Sequence, residues 1–296
     1  MNRKVQILMS TYNGEQYLRE QIDSLLQQAY PEIEILVRDD GSKDSTPDIL
    51  RDYARRYDNI RIFLEDNVGV TKSFFELLKR SEADYVAFCD QDDVWLGEKI
   101  VRAVEKLQTI NGSALYCSNK ILIDAHGKVI AENDKKKLTP GFGNAVIESV
   151  CTGCTMVLNR ELAENIKAHI PEQAILHDWW CYLVASYVGQ VVFDEKSYIL
   201  YRQHEHNVVG QKKGFWGDMR AKARYVSHNR GKLKAQLIDF QRLYRQQDEK
   251  DKLVDLLLDS EHLKGKLKAV FCRKYYRQSP LDQFIVKGLL LINCLL

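Results

Sequence analysis

The sequence predicts an α/β protein whose mostly parallel sheet is flanked by helices. Two observations carry the prediction. Short, unbroken apolar runs alternate with segments whose apolar residues recur at helical spacing, the pattern of a sheet covered on both faces. Three polar clusters, STYNG (10–14), DDGS (39–42) and DQDD (90–93), each follow an apolar run directly. In such sheets ligands bind beyond the carboxyl ends of the strands, so the three clusters should meet along one sheet edge.

The elements follow in order. VQILMS (5–10) is a strand, and the helix after it carries Leu18, Ile22, Leu25 and Leu26 on one face. IEILVR (33–38) is the second strand. Beyond the DDGSKDST turn, Thr46-Pro47 supplies an N-cap and a first-turn proline for a helix over 47–57. IRIFL (60–64) precedes a helix over 71–81, and YVAFC (85–89) precedes one over 97–109. ALYCS (114–118) is a fifth strand. After residue 120 the alternation loosens: CTMVL (154–158) and QVVF (190–193) read as strands, with helices near 160–169 and 178–188. From residue 211 the pattern is helical and lysine-rich.

The chain has 296 residues, 45% of them hydrophobic, enough for one large α/β domain with an appendage or for two modest domains. No apolar stretch reaches the roughly 20 residues a spanning helix needs. The N-terminal apolar run is too short for a signal peptide, so the expected location is cytoplasmic or on the cytoplasmic face of a membrane. Seven scattered cysteines argue against a disulfide framework, and CTGC (151–154), running into apolar TMVL, reads as buried thiols. The net charge of +2 is uneven: residues 211–296 hold 19 Lys and Arg against 9 Asp and Glu, which leaves the first 210 residues acidic. An acidic body with a basic tail suggests two tasks.

Asp90 and Asp92 form an Asp-x-Asp turn that can present two carboxylates to a hard cation such as Mg²⁺ or Mn²⁺, shared with phosphate oxygens. The plainer reading is a solvated acidic turn capping the helix near Gly97. A carboxylate in Asp39-Asp40-Gly41-Ser42 can accept from a ribose hydroxyl or a pyrimidine ring N–H, although Asp, Gly and Ser are also ordinary turn and cap residues. There is no GxGxxG and no GxxxxGK[ST]. Phosphates therefore fall to a metal and to basic side chains, Lys72 among them; its plainer reading is a solvated helix-surface lysine.

STYNG, RDDGSKDST, NVGVTKSF and FCDQDDVWLGEKI, in this order and spacing, resemble the family 2 inverting glycosyltransferases of the GT-A fold, over about residues 4–210. DQDDVW with the later HDWW and YRQHEHNVVG is similar to bacterial rhamnosyltransferases of cell-wall, capsular or O-antigen polysaccharide. The resemblance implies a catalytic domain over 1–210, with a nucleotide-sugar half to about 118 and an acceptor half over 119–210; beyond it, pattern and charge make 211–296 a helical basic region. It implies that Thr11, Tyr12 and Glu15 line the nucleotide pocket, that Asp39 holds the base, and that Lys72 lies near base or ribose. Asp90 would face ribose and metal, Asp92 would ligate Mg²⁺ or Mn²⁺, and Asp93 and Trp95 would shape the sugar and acceptor side. The catalytic base would be Asp178. Beside His177, Trp179 and Trp180 it would be partly desolvated and more basic, and the tryptophans would stack on sugar faces. The plainer reading is that HDW opens a core helix with Asp178 as its N-cap. His204 would complete the metal shell, and Arg202 would neutralise the leaving diphosphate.

The donor implied is a nucleotide-sugar, dTDP- or UDP-linked, with L-rhamnose from dTDP-rhamnose first and a UDP-hexose as the alternative. The acceptor implied is a glycan, free or polyprenyl-linked. The segment over 201–210 departs from the QxxRW pattern of processive members, which favours single additions. The basic, aromatic tail suits an anionic membrane surface; the plainer reading is a helical subdomain packed on the core, or one that mediates homo-oligomers. No motif supports nucleic-acid binding. Two rivals stay open: a nucleotidyltransferase, which would usually carry a Gly- and Arg-rich phosphate loop, and a non-catalytic nucleotide-sugar-binding scaffold at the membrane.

Overall fold

The computed structural model describes residues 3–131, 138–204, 231–260 and 262–292. Four parallel strands form its first half: β1 (Val5–Thr11), β2 (Ile33–Asp40), β3 (Ile60–Glu65) and β4 (Tyr85–Cys89). They alternate with α1 (Leu18–Leu26), α2 (Thr46–Arg56) and α3 (Val70–Arg80). β4 is apolar throughout and buried on both faces, and the central residues of β1 and β2 are buried likewise, which is why they read as continuous runs; β3, at the sheet edge, is only partly buried. Successive residues of β1 serve opposite cores: Ile7 and Met9 pack with Leu18, Ile22 and Ile100, while Leu8 packs with Leu36, Phe74 and Phe88.

The second half is mixed. It adds β5 (Val94–Trp95), α4 (Lys99–Leu107), β6 (Ala114–Ile123), β7 (Val129–Ala131), α5 (Phe142–Ala145), β8 (Val157–Asn159), α6 (Arg160–Ala168), α7 (His177–Val188) and β9 (Gln190–Arg202). The sheet order is β3-β2-β1-β4-β8-β6-β9-β5, with β7 paired to β6. The α/β class is borne out, but β8 is antiparallel to both β4 and β6, and β5 is antiparallel to β9. The sheet is parallel through the first half and again where β6 pairs with β9; it is antiparallel at β5, β7 and β8. CTMVL is also not one strand: a 3₁₀ turn over Gly153–Thr155 precedes β8. QVVF is only the start of a strand that runs on to Arg202, and that extension carries the chain back to the site edge. Thr46, expected as an N-cap, is the first residue of α2, and its Oγ1 accepts from Gly14 N at 2.8 Å.

Four further helices, α8 (Lys232–Tyr244), α9 (Glu249–Leu258), α10 (Leu263–Phe271) and α11 (Pro280–Leu291), pack outward from α7. Phe240 of α8 meets Trp180 at 6.0 Å and Tyr187 at 5.1 Å, both edge-on. Asp248 and Asp251 close a capping box at the start of α9, and Asp251 also accepts from Tyr187 Oη at 3.0 Å. Among the described residues no helix is long and apolar enough to cross a membrane.

Candidate active site

Register places the first two clusters side by side. Thr11 pairs with Asp39 across β1 and β2, and Thr11 Oγ1 donates to Asp39 Oδ1 at 3.1 Å. Asp39, buried, also accepts from Ser42 N (2.9 Å) and Ser42 Oγ (2.5 Å). The STYNG turn is tied to DDGSKDST: Asn13 N donates to Ser42 Oγ at 2.8 Å, and Glu15 Oε2 accepts from Ser45 N at 2.8 Å. Tyr12 stays 49% exposed, while its N–H and carbonyl bracket the Gln91 amide at 2.8 and 3.1 Å. That bracket fixes the DQDD turn against β1. It also explains Gly14, where a Cβ would lie 2.2 Å from Gln91 Oε1.

Asp40, the second aspartate of DDGS, has a structural task. It pairs with buried Arg38 and accepts from Val68 N (2.8 Å) and Gly69 N (2.9 Å), holding the approach to α3. Ser73 of α3 meets Ser10 at 2.7 Å. Lys72, one residue earlier and exposed, is thus carried toward the end of β1, and it has no ion-pair partner among the described residues.

The DQDD turn and the end of β9 meet next. His204 Nε2 lies 2.8 Å from Asp92 Oδ2, with both side chains mostly buried. This contact is set from behind. Asp93 Oδ1 accepts from Arg202 N at 3.0 Å, and Arg202 Nε donates to Asp92 O at 2.9 Å. The remaining Arg202 donors reach Asp124 O, Ala125 O and Glu20 Oε2, and its guanidinium covers the Tyr17 ring.

Asp178 stands in the first turn of α7, whose N-cap position is Leu176. Its Oδ2 accepts from Gly153 N at 3.0 Å and its Oδ1 from Trp179 N at 2.6 Å. Burial raises its pKa to about 6, while those two N–H groups and Lys120 pull the other way. Asp90 is pushed up by burial and by the charges of Asp92 and Asp178, so the three carboxylates share one field. Gly153 allows the close approach, since a Cβ there would sit 2.9 Å from His177 Nε2.

Several sequence expectations are corrected. Trp179 and Trp180 lie in the core, Trp179 donating its indole N–H to Ala145 O at 2.7 Å, so neither ring can stack on a sugar. His177 is buried against Phe74 (3.9 Å) and Phe88 (5.0 Å), and burial lowers its pKa to about 3, leaving a neutral packing residue. Trp95 is buried, with Lys99 Nζ 3.4 Å above its ring. Asp93 is fully buried, and burial with the Asp92 and Asp90 charges raises its pKa, so it lies beneath the site and does not face a sugar. Arg202 is 2% exposed with its donors directed at protein oxygens, so it positions the turn and is not open to a diphosphate. Residues 205–210 of the YRQHEHNVVG segment lie outside the described residues.

Two participants were not read from the sequence. Cys154 is buried as expected of the CTGC thiols, but its Sγ gathers with Asp90 and Asp93 carboxylate oxygens within 4.8 Å. Lys120 of β6 donates to Thr152 Oγ1 at 3.0 Å and lies over the Tyr201 ring, and its charge favours the ionised forms of both Asp90 and Asp178. Its signal in the sequence is a lone cation inside the β6 strand, between Asn119 and the apolar run Ile121–Ile123.

Comparisons with known proteins identify the family. The family model "Glycosyl transferase family 2" matches residues 6–167. The chain is similar to the dTDP-rhamnosyl transferase RfbG of Shigella flexneri, 34% identical over 217 residues, covering 68% of this chain and 73% of that protein. It is similar to the putative teichuronic acid biosynthesis glycosyltransferase TuaG of Bacillus subtilis, 34% identical over 171 residues, or 55% of this chain and 65% of that one. In fold it is similar to S. aureus TarS 1-349 solved with UDP (TM-score 0.60, 20% identity, 88% of this chain and 72% of that one). It is also similar to the mannosyltransferase PcManGT from Pyrobaculum calidifontis solved with GDP-Man and Mn²⁺ (TM-score 0.54, 16% identity, 99% and 86%). With the family model matched over more than half of its length, the chain belongs to glycosyl transferase family 2.

Proposed function

We propose that this glycosyltransferase moves a sugar from a nucleoside-diphosphate donor to a glycan hydroxyl with inversion, using Asp178 as general base. One observation carries the proposal: a half-buried carboxylate raised to about 6 stands in the same electrostatic cluster as the Asp90–Asp92 turn. Inverting transfer needs one base to take the acceptor proton while the hydroxyl attacks the anomeric carbon opposite the leaving group. Near neutral pH Asp178 is ionised, yet burial keeps it more basic than a solvated carboxylate. Gly153 N and Trp179 N fix both of its oxygens, so each keeps a lone pair for an acceptor hydroxyl.

On the donor side, Tyr12 offers an exposed ring for a base. Asp39 Oδ2, which among the described residues accepts only from Ser42 N, keeps capacity for a base N–H. Thr11 and Glu15 brace these contacts, and Lys72, beside the Ser73 that meets Ser10, is the cation proposed near base or ribose. A divalent cation fits the residues present: Asp92 Oδ2 and His204 Nε2 are an oxygen and a nitrogen donor 2.8 Å apart. Asp92 and His204 would hold Mg²⁺ or Mn²⁺, with Asp90 behind them. Bound there, the ion would neutralise charge developing on the diphosphate.

The RfbG relative supports L-rhamnose from dTDP-rhamnose as the donor sugar, and the TuaG relative supports an acceptor in cell-surface polysaccharide. UDP, the ligand of the TarS complex, makes a UDP-hexose the second donor to assay. The acceptor is proposed to be a glycan, free or polyprenyl-linked, presented at the inner face of the cell membrane, with 1–210 as the catalytic unit and 211–296 as a helical unit beside it. The test is an assay of dTDP-rhamnose and UDP-hexoses with Mn²⁺ and candidate acceptors, with the product's anomeric configuration read by NMR. Release of nucleoside diphosphate with an inverted linkage is expected. Pyrophosphate release, or donor binding without turnover, would replace this reading with one of its rivals.

A further inference from the structure

We infer that the outer faces of α10 and α11 form a docking surface for an anionic lipid bilayer. Both helices are apolar on two opposite sides. The inner sides are packed: Gly265 and Ala269 of α10, Val286 and Leu290 of α11. At Gly265 a Cβ would come within 2.1 Å of Asp259 O, so the absent side chain lets α10 lie flush on the end of α9. The outer sides are bare. Leu263, Leu267 and Phe271, four residues apart, are 71%, 45% and 78% exposed. Leu281 and Phe284 on α11 are 60% and 76% exposed. A helix serving only a globular core carries polar residues on its outer face. Apolar side chains exposed together on two neighbouring helices mark an interaction surface.

Charge selects the occupant. Residues 262–292 hold seven Lys and Arg against one acidic residue, Asp282. Lys264, Lys268 and Arg273 are exposed and have no ion-pair partner among the described residues. A second copy docked through the same face would bring two positively charged surfaces together. Anionic headgroups instead attract each basic residue while the side chains between them enter the acyl boundary. With 9 and 12 residues, α10 and α11 are about 14 and 18 Å long, well short of the ~30 Å hydrocarbon core, so they lie in the interface and do not cross it.

This surface gives the proposed membrane-side acceptor a physical docking face, and it does not depend on the donor or on catalysis. The test is co-flotation of the full chain with phosphatidylglycerol-containing vesicles and with neutral phosphatidylcholine vesicles, for the wild type, F271D/F284D and K264E/K268E. Wild type should float with the anionic vesicles, less so at high salt. F271D/F284D should reduce partitioning at least about tenfold, and K264E/K268E should remove the preference for anionic lipid. All three proteins should melt alike, because the substituted side chains are exposed, and should hydrolyse donor in solution alike. The inference is overturned if the wild type does not float, if F271D/F284D floats as well as wild type, or if that variant instead dissolves a dimer seen in solution. Vesicle binding without sugar transfer would count against the proposed function alone, and transfer without vesicle binding against this surface alone.

Discussion

His204 Nε2 lies 2.8 Å from Asp92 Oδ2, joining the end of β9 to the turn after β4. The imidazole stands beside Asp92, the proposed metal ligand, only because β9 runs on past Phe193 to the site edge. His204→Ala should raise the Mn²⁺ concentration for half-maximal rate by at least ~10-fold, with the melting temperature little changed. A Mn²⁺ titration of initial rate measures this. An unchanged requirement would remove His204 from the metal site.

Asp178, the proposed base, sets the expected pH dependence. Burial favours its neutral form, so its ionised form is lost as pH falls through about 6. Initial rates should decline on that acid side. Asp178→Asn should lower kcat roughly 100- to 10,000-fold with the fold intact. Stability should show the opposite preference. The folded pKa lies above the ordinary 3.8, so the cost of the buried charge grows as pH rises from 3.8 and is complete above about 6. The melting temperature of wild type should therefore fall relative to Asp178→Asn across that window. Parallel melting curves would mean that the Asp178 carboxylate is not desolvated.

Lys120 sets where that acid limb lies. Its charge favours ionised Asp178 and Asp90, so Lys120→Met should move the limb to higher pH, and Lys120→Arg should restore it. A pH–rate profile of each variant decides the matter. A loss of rate without any shift would make Lys120 a brace for Thr152 and nothing more.

The sequence showed the strand ends clearly, because apolar strands that stop at polar turns need no tertiary information to be seen. The convergence of Thr11, Asp39, Asp90 and Asp92 followed from parallel register alone. The direction of β8 was hidden, since a three-residue strand carries no mark of parallel or antiparallel pairing. The misreading of Trp179 and Trp180 had a visible antidote. Ten of the twelve residues of α7 are buried, and HDWWCYLVASYV is apolar all round, as a core helix is. Trp180→Phe should accordingly lower stability while leaving donor KM unchanged, measured by urea unfolding alongside donor saturation.

Arg202 shows why charge in a motif does not specify its target. YRQH follows a strand and contains a guanidinium, which suits a diphosphate, but burial turns its donors toward Asp92 O, Asp124 O, Ala125 O and Glu20. Arg202→Met would leave those part-buried carbonyls without their donor, at no more than about 1–3 kcal/mol for each unsatisfied group. It would also loosen the turn that presents Asp92 to His204. Urea unfolding should show the loss of stability, and the Mn²⁺ requirement should rise with it. A group that only neutralised the leaving diphosphate would give another signature: kcat would fall while stability and Mn²⁺ requirement held, and that outcome would return Arg202 to the diphosphate.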